Sequence, residues 1–133
     1  DGLLRAAPIA GFDVLPRPAG RWPKLHHRET GIEVDFLPEG ATPGTPARLA
    51  PTTIPHPSRL GAGESALRYI HLPGLVELKL AAGRTRDDND VVELIRANAD
   101  QIDRIRQHLG DVHPLYLSRF DELAARAAEE LDR

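Results

Sequence analysis

The feature that most limits what this chain can fold into is the uneven placement of its helix breakers. Every proline except Pro73 and Pro114 lies in the first 72 residues, and the segment 38–61 alone holds six prolines and three glycines. Proline removes a backbone donor and clashes with a continuing helix, so long helices are confined to the C-terminal part of the chain. Residues 73–133 are rich instead in Leu, Ala and charge. The expected fold class is α+β, a small mixed or antiparallel sheet followed by a helical C-terminal half. At 133 residues the chain fits one domain, 1–133, with a strand-and-loop half over 1–72 and a helical half over 73–133.

Within the first half, Leu3–Ala10 reads as the tail of a helix limited by Pro8, and Phe12–Leu15 as a short strand. Lys24–Arg28 and Ile32–Leu37 flank Glu29-Thr30-Gly31 as a hairpin. A two-residue Thr30-Gly31 turn sets Arg28 opposite Glu33, His27 opposite Val34, His26 opposite Asp35 and Leu25 opposite Phe36. That register gathers Leu25, Ile32, Val34 and Phe36 on one face, with His27 among them, and puts His26, Arg28, Glu33 and Asp35 on the other. Residues 38–61 read as a long loop, with Pro51–Pro55 extended. Leu67–Leu72 reads as a strand, and Pro73 opens a helix to about Ala82 that stops at Gly83. A second helix starts near Asp87 or Asp88 and carries Val91, Val92, Leu94 and Ile95. A third covers about Asp100–Leu109 through Ile102, Ile105 and Leu109. The last begins at His113-Pro114 with the stripe Tyr116, Phe120, Leu123, Ala127 and Leu131.

Composition narrows the possible chemistry. A net charge of −3 argues against a dedicated basic nucleic-acid surface. With no cysteine, disulfides and thiolate metal sites are excluded. No apolar run reaches membrane-spanning length and no signal-peptide pattern is present, so a cytoplasmic protein without membrane contact is expected. The chain contains no methionine and opens Asp1-Gly2, which suggests that residues upstream are absent.

Three groups of residues could carry function. Lys79 sits within a helix whose Leu75, Val76, Leu78, Leu80, Ala81 and Ala82 leave almost no polar face, so its ammonium needs a carboxylate or phosphate; the plainer alternative is that it snorkels to the surface. After Gly83, Arg84 and Arg86 precede Asp87, Asp88 and Asp90. Acids at a helix start are accounted for by capping and the helix dipole. Two guanidinium groups on a tight turn form an anion clamp. On the hairpin, Glu33 and Asp35 point the same way and could share a Mg²⁺ ion with nucleotide phosphates, although a solvated face with cross-strand ion pairs serves equally. Other signals are weaker. His26, His27, His56 and His71 lack zinc spacing, Gly61–Ala66 lacks the strand that a dinucleotide loop requires, and Ser58 and Ser65 lie in no nucleophile motif.

Gly31–Leu37 and Leu75–Asp90 together resemble the later motifs of nucleotidyltransferase-fold proteins, especially the bacterial AbiEii-type and related minimal nucleotidyltransferases of toxin–antitoxin and phage-defence systems. The likeness covers about residues 3–109. It implies that Asp35 is a metal-binding, catalytic carboxylate assisted by Glu33, and that Lys79 is catalytic and phosphate-binding. It also implies that Arg84 and Arg86 bind phosphate, with Asp87 and Asp90 supporting the site. The family's opening Gly-Gly or Gly-Ser turn and Asp-x-Asp strand have no match; Asp88-Asn89-Asp90 has the letters but stands at a helix start. The resemblance implies an incomplete nucleotidyltransferase that, when complete, moves a nucleoside monophosphate from an NTP to a hydroxyl on RNA, protein or a small molecule. Alone this chain is expected to be inactive. Mg²⁺ is the implied cofactor, and an antitoxin or oligomer partner the implied macromolecule. The alternative is a non-catalytic nucleotide- or partner-binding regulatory module on the same scaffold.

Overall fold

A computed structural model describes residues 2–18, 21–61 and 69–131. The architecture is α+β, with small antiparallel sheets preceding a helical C-terminal region. Contacts divide the chain into two compact units, Asp1–Pro38 and Glu39–Arg133.

The first unit begins with helix α1, Gly2–Ala6, shorter than Leu3–Ala10 because Pro8 comes soon after. Strands β1 (Phe12–Leu15), β2 (Lys24–His27) and β3 (Glu33–Val34) form an antiparallel sheet in the order β1-β2-β3. Phe12 pairs with His27 and Val14 with Leu25, and Leu25 is buried.

The register of the second hairpin differs from the one expected. Leu25 lies opposite Val34 and His26 opposite Glu33, a slip of two residues. Because side chains alternate with period two, that slip leaves the paired residues Leu25, His26, Glu33 and Val34 on their expected faces and changes only their neighbours; β3 is shorter than the expected strand Ile32–Leu37, and Ile32, expected on the apolar face, is 60% exposed. The turn explains the preference. His27 accepts the Gly31 N–H at 2.8 Å through its carbonyl and donates its own N–H to the Ile32 carbonyl at 2.8 Å. The His27 ring closes the loop, with Nδ1 2.8 Å from Thr30 Oγ1, and it meets Phe12 with ring centroids 4.8 Å apart. These two contacts account for a histidine on the apolar side. Arg28 pairs with Asp13 at 3.0 Å instead of Glu33.

In the second unit the proline-rich stretch has more structure than a plain loop. Strands β4 (Gly44–Thr45) and β5 (Arg48–Leu49) form a small hairpin, and Pro57–Leu60 makes a 3-10 turn. Ile54, in the extended segment between them, is buried. Leu67 and Arg68 of the expected strand Leu67–Leu72 fall outside the described residues; the other four carry no strand, because Tyr69–His71 are irregular and α2 already begins at Leu72.

Four helices complete the unit: α2 (Leu72–Ala82), α3 (Thr85–Ala97), α4 (Ile102–Val112) and α5 (Pro114–Leu131). Helix α2 packs against each of the other three, which is why it is apolar nearly all round. Val76, Leu80, Val91, Val92, Ile95, Ile105, Leu109, Tyr116, Phe120, Leu123 and Ala127 form one buried cluster. Pro73 stands in the first turn of α2, and Gly83 ends it in the left-handed region at φ +64°, donating to the Lys79 carbonyl at 3.1 Å.

Candidate functional site

The segment from Lys79 to Asp90 is built as a clasp between α2 and α3. Lys79, on the last turn of α2, is 30% exposed at its side chain; its Nζ lies 2.7 Å from Asp90 Oδ2 and 3.6 Å from Asp87 Oδ1. The anion that its surroundings demanded is thus a carboxylate of the next helix, and the snorkelling and pairing readings both hold in part. Arg84 donates through Nε and Nη2 to the two oxygens of Asp87 at 2.6 and 3.1 Å. Asp87 also accepts the Arg84 backbone N–H at 3.2 Å.

That last contact moves the start of α3. Asp87 occupies the third helical position and reaches back to the cap residue, so the helix begins at Thr85 and not at Asp87 or Asp88. The Asp87 side chain is only 1% exposed. Burial pushes its carboxyl up, but the hydrogen bonds and charge of Arg84, aided by Lys79, more than offset this, and the net shift is downward. Asp88 is also buried; Arg119 of α5 donates to its Oδ2 at 2.8 Å, while Oδ1 has no hydrogen-bond partner among the described residues. Arg86 is exposed and makes no ion pair among the described residues.

Beside this clasp lies a cleft of about 180 Å³ lined by Arg48, Leu80, Gly83, Tyr116 and Arg119 among others, with no acidic residue on its described wall. Arg48 reaches the Gly83 carbonyl at 3.4 Å. Neither Arg48 nor Arg119 stands out in the sequence, because they lie far from the turn along the chain.

The other candidate carboxylates belong to the first unit. Glu33 Oε2 is 2.7 Å from Lys24 Nζ, and Asp35 is hydrogen-bonded by Arg17 and lies 3.8 Å from Lys24 Nζ. The Lys24 hydrogen bond and charge hold the Glu33 carboxyl below its usual value. Both carboxylates are already neutralised, so this donor set fits a magnesium ion only once Lys24 and Arg17 withdraw. Lys79, Arg84, Arg86, Asp87 and Asp90 belong to the second unit.

The remaining histidines have local tasks. His56 Nδ1 accepts the Ser58 N–H at 3.2 Å, and His71 Nδ1 accepts the Gly74 N–H at 2.8 Å at the start of α2. The loop Gly61–Ala66 lies outside the described residues beyond Gly61, and Ser65 with it.

One polar pair did not emerge from the sequence. Glu77, 5% exposed, accepts a hydrogen bond from His108 Nε2 of α4 at 2.7 Å. Glu77 lies on the same apolar helix as Lys79 and needs a partner for the same reason, so the signal was present in the residues themselves. Nearby, Tyr116 and Thr52 share a hydrogen bond of 2.8 Å. Burial raises the Tyr116 hydroxyl pKa and the Glu77 charge adds to this, against the Thr52 hydrogen bond.

No family model, curated protein or solved structure matches the chain. Among the described residues, no helix is long and apolar enough to cross a membrane.

Proposed function

We propose that this chain is a nucleotidyltransferase-like domain that receives nucleotide phosphates at the α2–Gly83–α3 turn. The observation that carries the reading is the clasp itself. Asp87 and Asp90 hold the Lys79 ammonium in place at a glycine turn, beside a cleft whose charged lining, Arg48 and Arg119, is cationic. An ammonium has three donors, so Lys79 keeps one beyond these two carboxylates. Arg86 is exposed for a second phosphate contact, and Arg84 is fixed by Asp87. Lys79 is oriented by its two carboxylates before any ligand arrives, and a preorganised donor costs little reorganisation on binding.

In this reading the complete activity moves a nucleoside monophosphate from an NTP to a hydroxyl on RNA, protein or a small molecule. A toxin–antitoxin or phage-defence setting in the cytoplasm, with a cognate antitoxin or oligomer partner, belongs to the same proposal. Magnesium would arrive with the nucleotide; Asp35 and Glu33, the carboxylates that the resemblance implies for the metal, belong to the first unit.

The second reading, a non-catalytic nucleotide-binding or regulatory module, is favoured by the neutralisation already present. Lys79, Arg84, Glu33 and Asp35 are all engaged within the chain. Calorimetric titration with magnesium ATP and GTP, paired with a pyrophosphate-release assay in the presence of RNA, separates the two. Binding with turnover supports the enzyme, and binding without turnover the module. Weakening by Lys79→Met or by Arg48→Ala plus Arg86→Ala, with the circular dichroism unchanged, locates the site. Absence of nucleotide binding by the wild-type chain refutes both.

A further inference from the structure

A larger cleft in the second unit, about 410 Å³, is lined by Thr52, Thr53, Arg59, Glu77, His108 and Asp111 among others. Its volume falls in the range of small-molecule sites. Two kinds of polar group face it. Glu77 and His108 satisfy one another at 2.7 Å, and the His108 ring packs edge-on against His71 with centroids 5.2 Å apart. His71 is in turn held by its cap hydrogen bond to Gly74. This pair is a fixed polar wall.

Arg59 and Asp111 differ from that wall. Both are exposed, and neither makes an ion pair with any described residue, including the other. The cleft therefore offers one unengaged guanidinium and one unengaged carboxylate, which are not paired with each other. A phosphate dianion attracted by Arg59 is repelled by Asp111, and a simple amine attracted by Asp111 is repelled by Arg59. Complementary charge selects a ligand carrying both signs.

We propose that this cleft binds a small zwitterion, a free amino acid, with its carboxylate on Arg59 and its ammonium on Asp111, against the Glu77–His108 wall. The proposal is independent of the nucleotide reading, since it uses none of the residues of the α2–α3 turn.

The test screens the standard L-amino acids at millimolar concentration against the full chain, by thermal shift and by the NMR resonances of the His108 ring. At least one amino acid is expected to raise Tm and move those resonances. Its methyl ester, which lacks the carboxylate, and its N-acetyl derivative, which lacks the ammonium, are expected to do neither. Arg59→Gln and Asp111→Asn change exposed side chains, so they should leave the unliganded Tm unchanged while weakening binding about tenfold or more. Any nucleotide binding should survive both substitutions. The proposal is overturned if no amino acid binds, if the blocked derivatives bind equally well, if either variant binds as the wild type does, or if inorganic phosphate alone perturbs His108.

Discussion

Replacing Asp87 by Asn tests the clasp at its centre. The substitution keeps the shape of the side chain and one acceptor oxygen, but removes the charge and turns an amide NH₂ toward Arg84 or Lys79. In the wild type the buried carboxylate takes two hydrogen bonds from the Arg84 side chain, one from its backbone, and the charge of Lys79 at 3.6 Å. Hydrogen bonds to a charged group contribute about 1.5–3 kcal/mol, but Arg84 is 49% exposed and solvent screening reduces its share. The expected loss near neutral pH is about 2 kcal/mol, which for a urea m-value of about 2 kcal/mol/M lowers the midpoint by about 1 M. Urea unfolding monitored by circular dichroism at the helical minimum measures it. The pH dependence has a definite sign: the folded carboxyl lies below its ordinary value, so its contribution is complete above the unfolded pKa and disappears as pH falls through the folded one. Asn resembles the protonated acid, so the difference between wild type and variant at neutral pH should shrink at acidic pH, as the carboxyl is protonated. A difference of the same size at both pH values, or none at neutral pH, refutes the assignment of this stability to the Asp87 charge.

Arg119→Met should cost about 2 kcal/mol in the same assay, because the Asp88 carboxylate, with a side chain only 11% exposed, loses its guanidinium; adding Asp88→Asn should recover part of the loss. Gly61→Ala should lower stability by about 2 kcal/mol, since the residue sits at φ +71° and a Cβ there would lie 2.0 Å from His71 Cδ2, displacing the ring that caps α2. Gly40→Ala, also at positive φ but with nothing within 4 Å, should cost only about 1 kcal/mol of backbone strain, and the Tm difference between the two variants reads the steric part.

The local signals of the sequence translated well into helices. The spacing of Tyr116, Phe120, Leu123 and Ala127 put those four on the buried face of α5, and Gly83 ended α2 where a residue of positive φ was required. Period-two alternation assigned the faces of the paired residues Leu25, His26, Glu33 and Val34 correctly but gave the wrong partners, because alternation cannot distinguish registers that differ by two. Cross-strand charge pairing favoured Arg28 with Glu33, yet Asp13 from β1 was the competing acid for Arg28. Asp87 was expected at or before the start of α3; the competing contact was its reach back to the Arg84 N–H.

What the sequence determined by itself was where helices can run, which of their faces are apolar, and that a cation in the middle of an apolar helix requires an anion. These come from backbone sterics and from periodicity, both of which act over a few residues. Only the tertiary structure decided which anion meets Lys79, that Arg119 lies against Asp88, and that Glu77 is buried against His108. Those partners are 11 to 31 residues apart. They meet because α2 packs against α3, α4 and α5, and the packed core, not the chain order, sets which charged groups face one another.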